Sequence, residues 1–553
     1  MCGFIFFHNK SNEVENIKEY FHDIKYRGPD KTNTRTIYNN FFGFHRLSII
    51  DLDDRSMQPF EDDNYIILFN GEIYNYINLR KELTSFSYNF KTQSDTEVLI
   101  KLYDKYGKAM HKKIEGMYAA IIYSKKDNKI TMFRDNFGIK PLYYFKDKDK
   151  FVACSSIKAI KKIISKDEIN KNNMINFLRF GFTFGPETIY SKIFEVENGY
   201  EYSLDLNTFS LEKNIFFNYQ DLNNKNSEAE SLNLILNYTI KSHLTSDVKV
   251  TTLKSNGLDS NLIYNYSRKY VENDYFYYDY NDNLIQHNNN KKLNKFQIGN
   301  KYEELFEKYI NFQEYPTIDG FNTYLLTHYV NRLGYKVCLS GLGLDEVLDG
   351  YGLLKKINFL QFTNKFLPKL KLSTNLNIKI RKLFSSKHNF DFLDFYLLIR
   401  SVNLESNLSK FFDKKEIDFH YNQLKASLFK VVSNHNTEFK DNQNTLLSLL
   451  EMNFYLKNQL LKDSDHFSML NSVELRVPYI EKNFIKSLFS LNKTSNLDKR
   501  NFFKKNLKSE LSLINLETEK KGFITNNYKI LNKIYNIKNP SNLIYYIGKR
   551  FGL

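Results

Sequence analysis

The chain begins Met1-Cys2-Gly3-Phe4. Methionine removal requires a small residue at position two, so the expected mature chain starts with Cys2, which then carries both a thiol and a free α-amine. An α-amine titrates at roughly 7.7–8.0, so it can take the proton of the neighbouring thiol. One residue then supplies nucleophile and base, the logic also used by N-terminal threonine nucleophiles. A blocked or further-trimmed terminus would abolish the pair. Cys154 and Cys338 lie in apolar, strand-like runs and read as buried small hydrophobes rather than catalysts.

Several segments behind Cys2 have to position it. Arg27-Gly28-Pro29-Asp30 forms a turn, and the β-branched, apolar run from Phe44 to Leu52 predicts a buried strand. Gln58-Pro59-Phe60 follows, and then Phe69-Asn70-Gly71-Glu72-Ile73-Tyr74-Asn75, a strand ending in a turn. Ser94 stands three residues before Glu97, which predicts a capped helix start. The runs Gly116 to Tyr123 and Arg134 to Tyr144 complete the set.

In this order the blocks resemble the class II glutamine amidotransferase domain, from residue 2 to about residue 200. The resemblance implies an α+β fold of the N-terminal-nucleophile hydrolase type, with layered antiparallel sheets between helices. It implies that Cys2 attacks the side-chain amide of glutamine, giving a thioester and releasing ammonia. Asn70 and the N–H of Gly71 would form the oxyanion hole, because a turn glycine lets backbone approach substrate closely. Arg46 would hold the substrate α-carboxylate with its planar fork, within a glutamine site that includes Leu47, Ser48, Ile49 and Ile50. Glu72 and Asp95 would bind the substrate amine or order the pocket. Taken singly, Arg46 also reads as a surface ion pair and Asp95 as a helix cap.

The second half carries a different pattern. A strand over Val248 to Leu253 leads into Lys254-Ser255-Asn256-Gly257-Leu258-Asp259-Ser260 and then a helix. A strand, a Gly/Ser turn and a helix N-terminus make an anion site, since free backbone N–H groups face the ligand. Further blocks are Ser340-Gly341-Leu342-Gly343-Leu344-Asp345-Glu346, Asp463-Ser464-Asp465-His466-Phe467-Ser468, Glu474-Leu475-Arg476-Val477-Pro478 and Lys520-Lys521-Gly522-Phe523. Over roughly residues 230–525 they resemble the synthetase domain of glutamine-dependent asparagine synthetases.

That resemblance implies a doubly wound α/β domain of the ATP-pyrophosphatase type with a helical C-terminal part. The expected domains are residues 2–205 and 228–540, joined across an Asn-rich linker near 205–228. Ammonia does not attack a carboxylate readily, so the carboxylate is first joined to the α-phosphate of ATP as an acyl-adenylate. Ser255, Gly257, Asp259 and Ser260 would cradle pyrophosphate, with Asp259 and Asp345 holding Mg²⁺. Ser340 and Gly341 would contact the nucleotide, and Lys520 would stabilise charge building on the phosphate. Asp465, Ser468, Glu474 and Arg476 would support the acceptor site or its walls.

The second half also departs from its relatives. Asn256 replaces a glycine of the phosphate turn, Leu342 stands where an acidic residue follows Ser-Gly, and His466 and Thr518 each replace an arginine. Three readings follow: amide synthesis on aspartate, the same chemistry on another carboxylate such as a sugar acid, or a glutaminase whose second domain has lost adenylation.

At 553 residues the chain has room for two large cores. Three Cys imply no disulfide framework, and no run of 18 apolar residues or signal peptide appears, so a cytoplasmic, membrane-free protein is expected. The formal net charge of +16 comes from lysines scattered through a Lys/Asn/Ile-rich chain without Trp, and no nucleic-acid-binding motif accompanies it. The lysines between Lys355 and Lys387 read as a solvated helical surface. The expected partners are small molecules: glutamine, ATP and a carboxylate. Relatives commonly pair as homodimers, which no residue here tests.

Overall fold

The structure is a computed structural model that describes residues 2–11, 17–164, 167–222, 231–272, 274–278, 283–287, 293–297, 301–366, 390–433, 443–492, 498–507 and 527–553. Lys520, Thr518, residues 223–227 of the linker, residues 288–292, whose Asn-rich sequence reads as a loop, and the basic stretch beyond Phe366 lie outside the described residues.

The first twelve strands are β1 (Cys2–Asn9), β2 (Lys31–Ile37), β3 (Asn40–Arg46), β4 (Phe60–Glu61), β5 (Tyr65–Ile73), β6 (Gly116–Ser124), β7 (Lys129–Arg134), β8 (Tyr143–Lys146), β9 (Lys150–Cys154), β10 (Phe194–Glu195), β11 (Tyr200–Asp205) and β12 (Leu211–Ile215). They build two antiparallel six-stranded sheets, ordered β10-β8-β9-β1-β3-β2 and β12-β11-β7-β6-β5-β4. Strand alternation explains why they stack. On β1, Phe4 and Phe6 join Phe42 and Phe44 of β3 and Ile66 and Leu68 of β5 in one core between the sheets. The opposite faces are covered by helices: Ile5 and Phe7 meet Ile17, Phe21 and Ile157, while Ile67 and Phe69 meet Leu83, Val98 and Leu102. The result is the helix–sheet–sheet–helix layering expected, and β12 carries its second sheet to Ile215.

The third sheet comprises β13 (Val250–Leu253), β14 (Tyr275–Tyr278), β15 (Asn283–His287), β16 (Leu293–Gln297), β17 (Val337–Leu339) and β18 (Glu474–Arg476), in the order β16-β15-β14-β13-β17-β18. The four strands from β14 to β18 are parallel, as an α/β domain requires, and β15 and β16 extend the edge as an antiparallel ribbon. A separate cluster including Leu353, Ile357, Phe395, Leu428 and Phe454 forms the helical part that follows. No helix among the described residues is long and apolar enough to cross a membrane.

Two local expectations fail for physical reasons. The strand expected to reach Leu52 ends at Arg46. The Arg46 guanidinium donates to the carbonyls of Ile50 (3.3 Å), Asp51 and Asp53 (2.8 Å), which curls the segment back on itself. Ser94 does cap the helix Asp95–Tyr106, accepting from Thr96 N–H at 3.0 Å. Glu97, however, completes no capping box, because its carboxylate accepts from Lys91 N–H, Thr92 N–H and Thr92 Oγ1.

Buried charges join the two halves. Asp465, from the helix Lys462–Met469, receives Arg27 at 2.7 Å and Lys140 at 3.5 Å. Glu314 accepts from Ile157 N–H (2.8 Å), Ser156 Oγ (2.6 Å) and Tyr26 Oη (2.8 Å), tying the start of the helix Ile157–Ile164 to the second half. Removing one partner of a buried ion pair strands the other. Asp465→Ala is therefore expected to cost about 3–5 kcal/mol in urea unfolding. A loss below about 1 kcal/mol, the value of an exposed pair, would show that the interface does not rely on it.

Candidate active site

The face of the sandwich core turns polar at one end, on three strands at once. Beyond Phe4 on β1 comes Cys2, beyond Phe44 on β3 comes Arg46, and beyond Leu68 on β5 come Asn70 and Glu72. Each lies two or four residues along from its apolar neighbour, so the pleat puts it on the same face. Cys2 stands opposite Arg46 in the β1–β3 register. Its backbone nitrogen donates to Asn70 Oδ1 at 2.8 Å.

That bond leaves the amide nitrogen of Asn70 without an acceptor. Asn70 is fully buried, and Nδ2 has no hydrogen-bond partner. Gly71 has φ +151°, and a Cβ there would lie 2.1 Å from the Met117 carbonyl oxygen, so no other residue fits. A small cavity opens beside Gly71, lined by Cys2, Arg46, Leu47, Ile49, Ile50, Gly71, Glu72 and Asp95; Asn70 is hydrogen-bonded to Cys2 but is not part of that wall. Ser48 is absent from that lining; its N–H donates to Asp30 Oδ2 at 2.8 Å. Arg46 is buried rather than a surface ion pair, and besides the carbonyls it donates to Ser56 Oγ at 2.6 Å. By folding residues 47–53 it brings Leu47, Ile49 and Ile50 to the wall.

Burial pushes the Cys2 thiol up, against the Leu47 N–H and the nearby Arg46 charge. Burial likewise pushes Glu72 well above the carboxylate range, Glu474 adding to it and Arg476 opposing. Asp95 is pushed up to about 6 by burial, with Glu474 nearby, although Ile73 N–H donates to it at 3.0 Å.

The second cluster lies at the C-terminal ends of β13 and β17. The turn before the helix Leu258–Ser267 is closed on itself: Ser255 N–H donates to Ser260 Oγ at 2.8 Å and Gly257 N–H to Ser255 Oγ at 3.1 Å. These two N–H groups, expected to face a ligand, are thus satisfied inside the turn. Gly341 packs on the same turn, where a Cβ would meet Ser260 N at 2.9 Å, and Ser340 N–H donates to the Arg476 carbonyl at 2.9 Å.

Asp259 and Asp345 do converge. The cation between them is Lys499, whose ammonium donates to both Asp259 oxygens (2.8 and 2.9 Å) and to Asp345. Burial alone would lower that ammonium; the two carboxylates hold it up. Lys499 was not singled out in the sequence; it lies in the first turn of the helix Lys499–Asn506. The described residues contain no group of three or more His, Cys, Asp or Glu able to hold a metal ion. The residues expected at the acceptor walls lie on the boundary with the first half: Asp465 pairs with Arg27 and Lys140, and Arg476 with Glu474 and Glu72. His466 Nε2 lies 3.0 Å from the Phe312 carbonyl.

Comparison with known proteins agrees with both halves. Residues 1–215 match the glutamine amidotransferase domain family, which sets the class of the first half. Residues 232–526 match the asparagine synthase family, and the chain belongs to it. Asparagine synthetase (glutamine-hydrolyzing) 1 of Bacillus subtilis (strain 168) is 29% identical over 518 residues, spanning 87% of this chain and 80% of its own length. Asparagine synthetase (glutamine-hydrolyzing) 2 of the same organism is 31% identical over 260 residues, 43% of this chain and 34% of its own. Among solved structures, the glutamine phosphoribosylpyrophosphate amidotransferase from B. subtilis covers 62% of this chain and 81% of its own at 13% identity, with a TM-score of 0.31, too slight a likeness to carry weight.

The carboxylate at Asp95 has a cost that depends on pH. Its proton is held more tightly in the folded protein than in the unfolded chain, where such a group titrates near about 3.9. Stability from this group is therefore greatest below that value and falls as the pH rises to about 6. Asp95→Asn is expected to stabilise the protein by up to about 3 kcal/mol above pH 6, a gain that vanishes below about pH 4. Urea unfolding at the two pH values reads the difference; equal gains at both would refute the assignment.

Proposed function

We propose that the protein hydrolyses glutamine at Cys2 and passes the ammonia to a carboxylate activated by ATP in the second domain, with aspartate the leading acceptor. The observation that carries the first step is the buried, unpartnered Nδ2 of Asn70 next to Cys2. A donor kept dry and empty costs the fold free energy, and an oxyanion is the group that repays it.

The residues divide the work as follows. The α-amine freed by loss of Met1 takes the Cys2 thiol proton, and the thiolate attacks the glutamine amide carbon. Asn70 Nδ2 and the N–H of Gly71 stabilise the oxyanion. The α-ammonium of Cys2 returns its proton to the leaving nitrogen, so that the C–N bond breaks and ammonia departs as the thioester forms. Water then hydrolyses the thioester to glutamate and the free thiol. Glu72 and Asp95 take the substrate ammonium, and Arg46 faces its carboxylate. In the second domain the turn at Ser255, Gly257 and Ser260 meets the phosphates, with Ser340 and Gly341 beside the nucleotide and Lys520 supplying charge. Asp259 and Asp345 are the residues to hold Mg²⁺, since they already converge on one cation; the metal would have to share or displace Lys499. When bound, Mg²⁺ neutralises phosphate charge. Three buried, unpaired cysteines suit the reducing cytoplasm.

A second reading draws on the closed turn and on Leu342, which is packed on the main core where relatives carry an acid. It keeps the glutaminase and makes the acceptor another carboxylate, or leaves the second domain silent. The deciding assay is pyrophosphate release from Met1-processed protein with ATP, Mg²⁺ and glutamine, with and without aspartate. Aspartate-dependent pyrophosphate together with asparagine supports the first reading. Glutamate without pyrophosphate sinks it.

Two variants test the glutaminase step. Asn70→Ala is expected to lower kcat for glutamate release by about 10²–10³-fold, the usual effect of losing one oxyanion donor. Cys2→Ala is expected to abolish glutamate release while synthesis from added ammonium salts persists.

A further inference from the structure

Arg476 belongs to the second domain, yet its side chain reaches Glu72, which lines the cavity beside Cys2. It is fully buried, and its donors can be followed one by one. Nε donates to Glu474 Oε1 at 2.6 Å. Nη1 donates to the carbonyls of His243 and Thr245, both at 2.7 Å. Nη2 has no hydrogen-bond partner among the described residues and lies 3.5 Å from Glu72 Oε1. The other oxygen of Glu72 is buried, also without a hydrogen-bond partner, and Glu72 lines the cavity that holds Cys2.

Charge explains why this arrangement matters. Glu72, Asp95 and Glu474 share one buried neighbourhood, and each raises the cost of ionising Glu72. A buried carboxylate without a nearby cation takes up a proton. A protonated Glu72 could no longer pair with an ammonium. Arg476 opposes that proton uptake, and its planar fork meets Glu474 and Glu72 from one rigid group.

We infer that Arg476 is a positioning residue of the glutamine site, supplied by the second domain, which holds Glu72 aimed for the α-ammonium of the substrate. The glutamine pocket is then incomplete without β18. The same residue reaches the other site through its main chain, since its carbonyl accepts from Ser340 N–H at 2.9 Å. The inference rests on the reading of the first half as a glutaminase.

The test is glutamine binding by calorimetry in the Cys2→Ala background, where no turnover intervenes, with glutaramate, which lacks the α-amine, as the second probe. Arg476→Met is expected to weaken glutamine binding about tenfold or more while leaving glutaramate within about twofold. Arg476→Lys keeps the charge without the fork and is expected to fall between; should Arg476→Met not fold, this variant carries the test. Glu72→Gln is expected to weaken glutamine as much as Arg476→Met, and the double variant no more than either. Equal losses for glutamine and glutaramate mean a merely structural role and overturn the inference, as does unchanged glutamine binding. If the Cys2→Ala parent binds no glutamine, the glutaminase reading falls first and this inference with it.

Discussion

The structure depends on charges that neutralise each other only when the two halves are together. Arg27 and Lys140 are buried in the first half, and their carboxylate, Asp465, comes from the second. Glu72 is buried in the first half, and its guanidinium, Arg476, comes from the second. Burying such groups separately would cost several kcal/mol each, so neither half can expose or bury them alone without penalty. The apolar core obeys the same constraint, because Ile5 and Phe7 of β1 belong to one continuous cluster with Val337 and Leu339 of β17. The halves are distinct in topology and joined in energy.

The two sites rest in opposite conditions. At the first, Gly71, the unpartnered Asn70 nitrogen and the cavity wall are in place before any ligand arrives. At the second, Ser255, Gly257 and Ser260 satisfy one another, and Lys499 satisfies Asp259 and Asp345. A ligand at the first site gains contacts that the free protein lacks. A ligand at the second must first displace contacts already made, and only the surplus appears as affinity.

What could be read from the sequence follows from range. Cys2, Asn70, Gly71 and the layered fold were named through the family resemblance, whose blocks are local runs of sequence, and the structure brings the three residues to one end of the sandwich. The capping of the helix at Ser94 was legible as a local signal, but the partner of Glu97 was not, since Thr92 competes for it from the preceding turn. The end of β3 was hidden because nothing in the apolar run after Arg46 announces that its guanidinium takes the carbonyls of Ile50, Asp51 and Asp53. Lys499 reaches Asp259 across 240 residues and Arg27 reaches Asp465 across 438, and no periodicity encodes such meetings. Arg476 and Asp465 were picked out as polar residues of interest, but the domain they serve becomes visible only when the halves are packed.

The cost of this design is concentrated on one short run. Asn70, Glu72 and Tyr74 alternate along the end of β5 and just beyond it, and each has a buried polar atom without a hydrogen-bond partner among the described residues. Unsatisfied buried groups cost about 1–3 kcal/mol apiece. A sheet that wanted only stability would have continued the apolar alternation of Ile66 and Leu68. Instead the strand changes character where the sandwich core opens beside Cys2. Neighbouring strands absorb the loss: the nine-residue pairing of β5 with β6 holds the run in register, and only glycine fits at Gly71 because Met117 crowds it. Rigidity from backbone pairing is thus what allows this stretch to keep its polar groups unsatisfied and aimed.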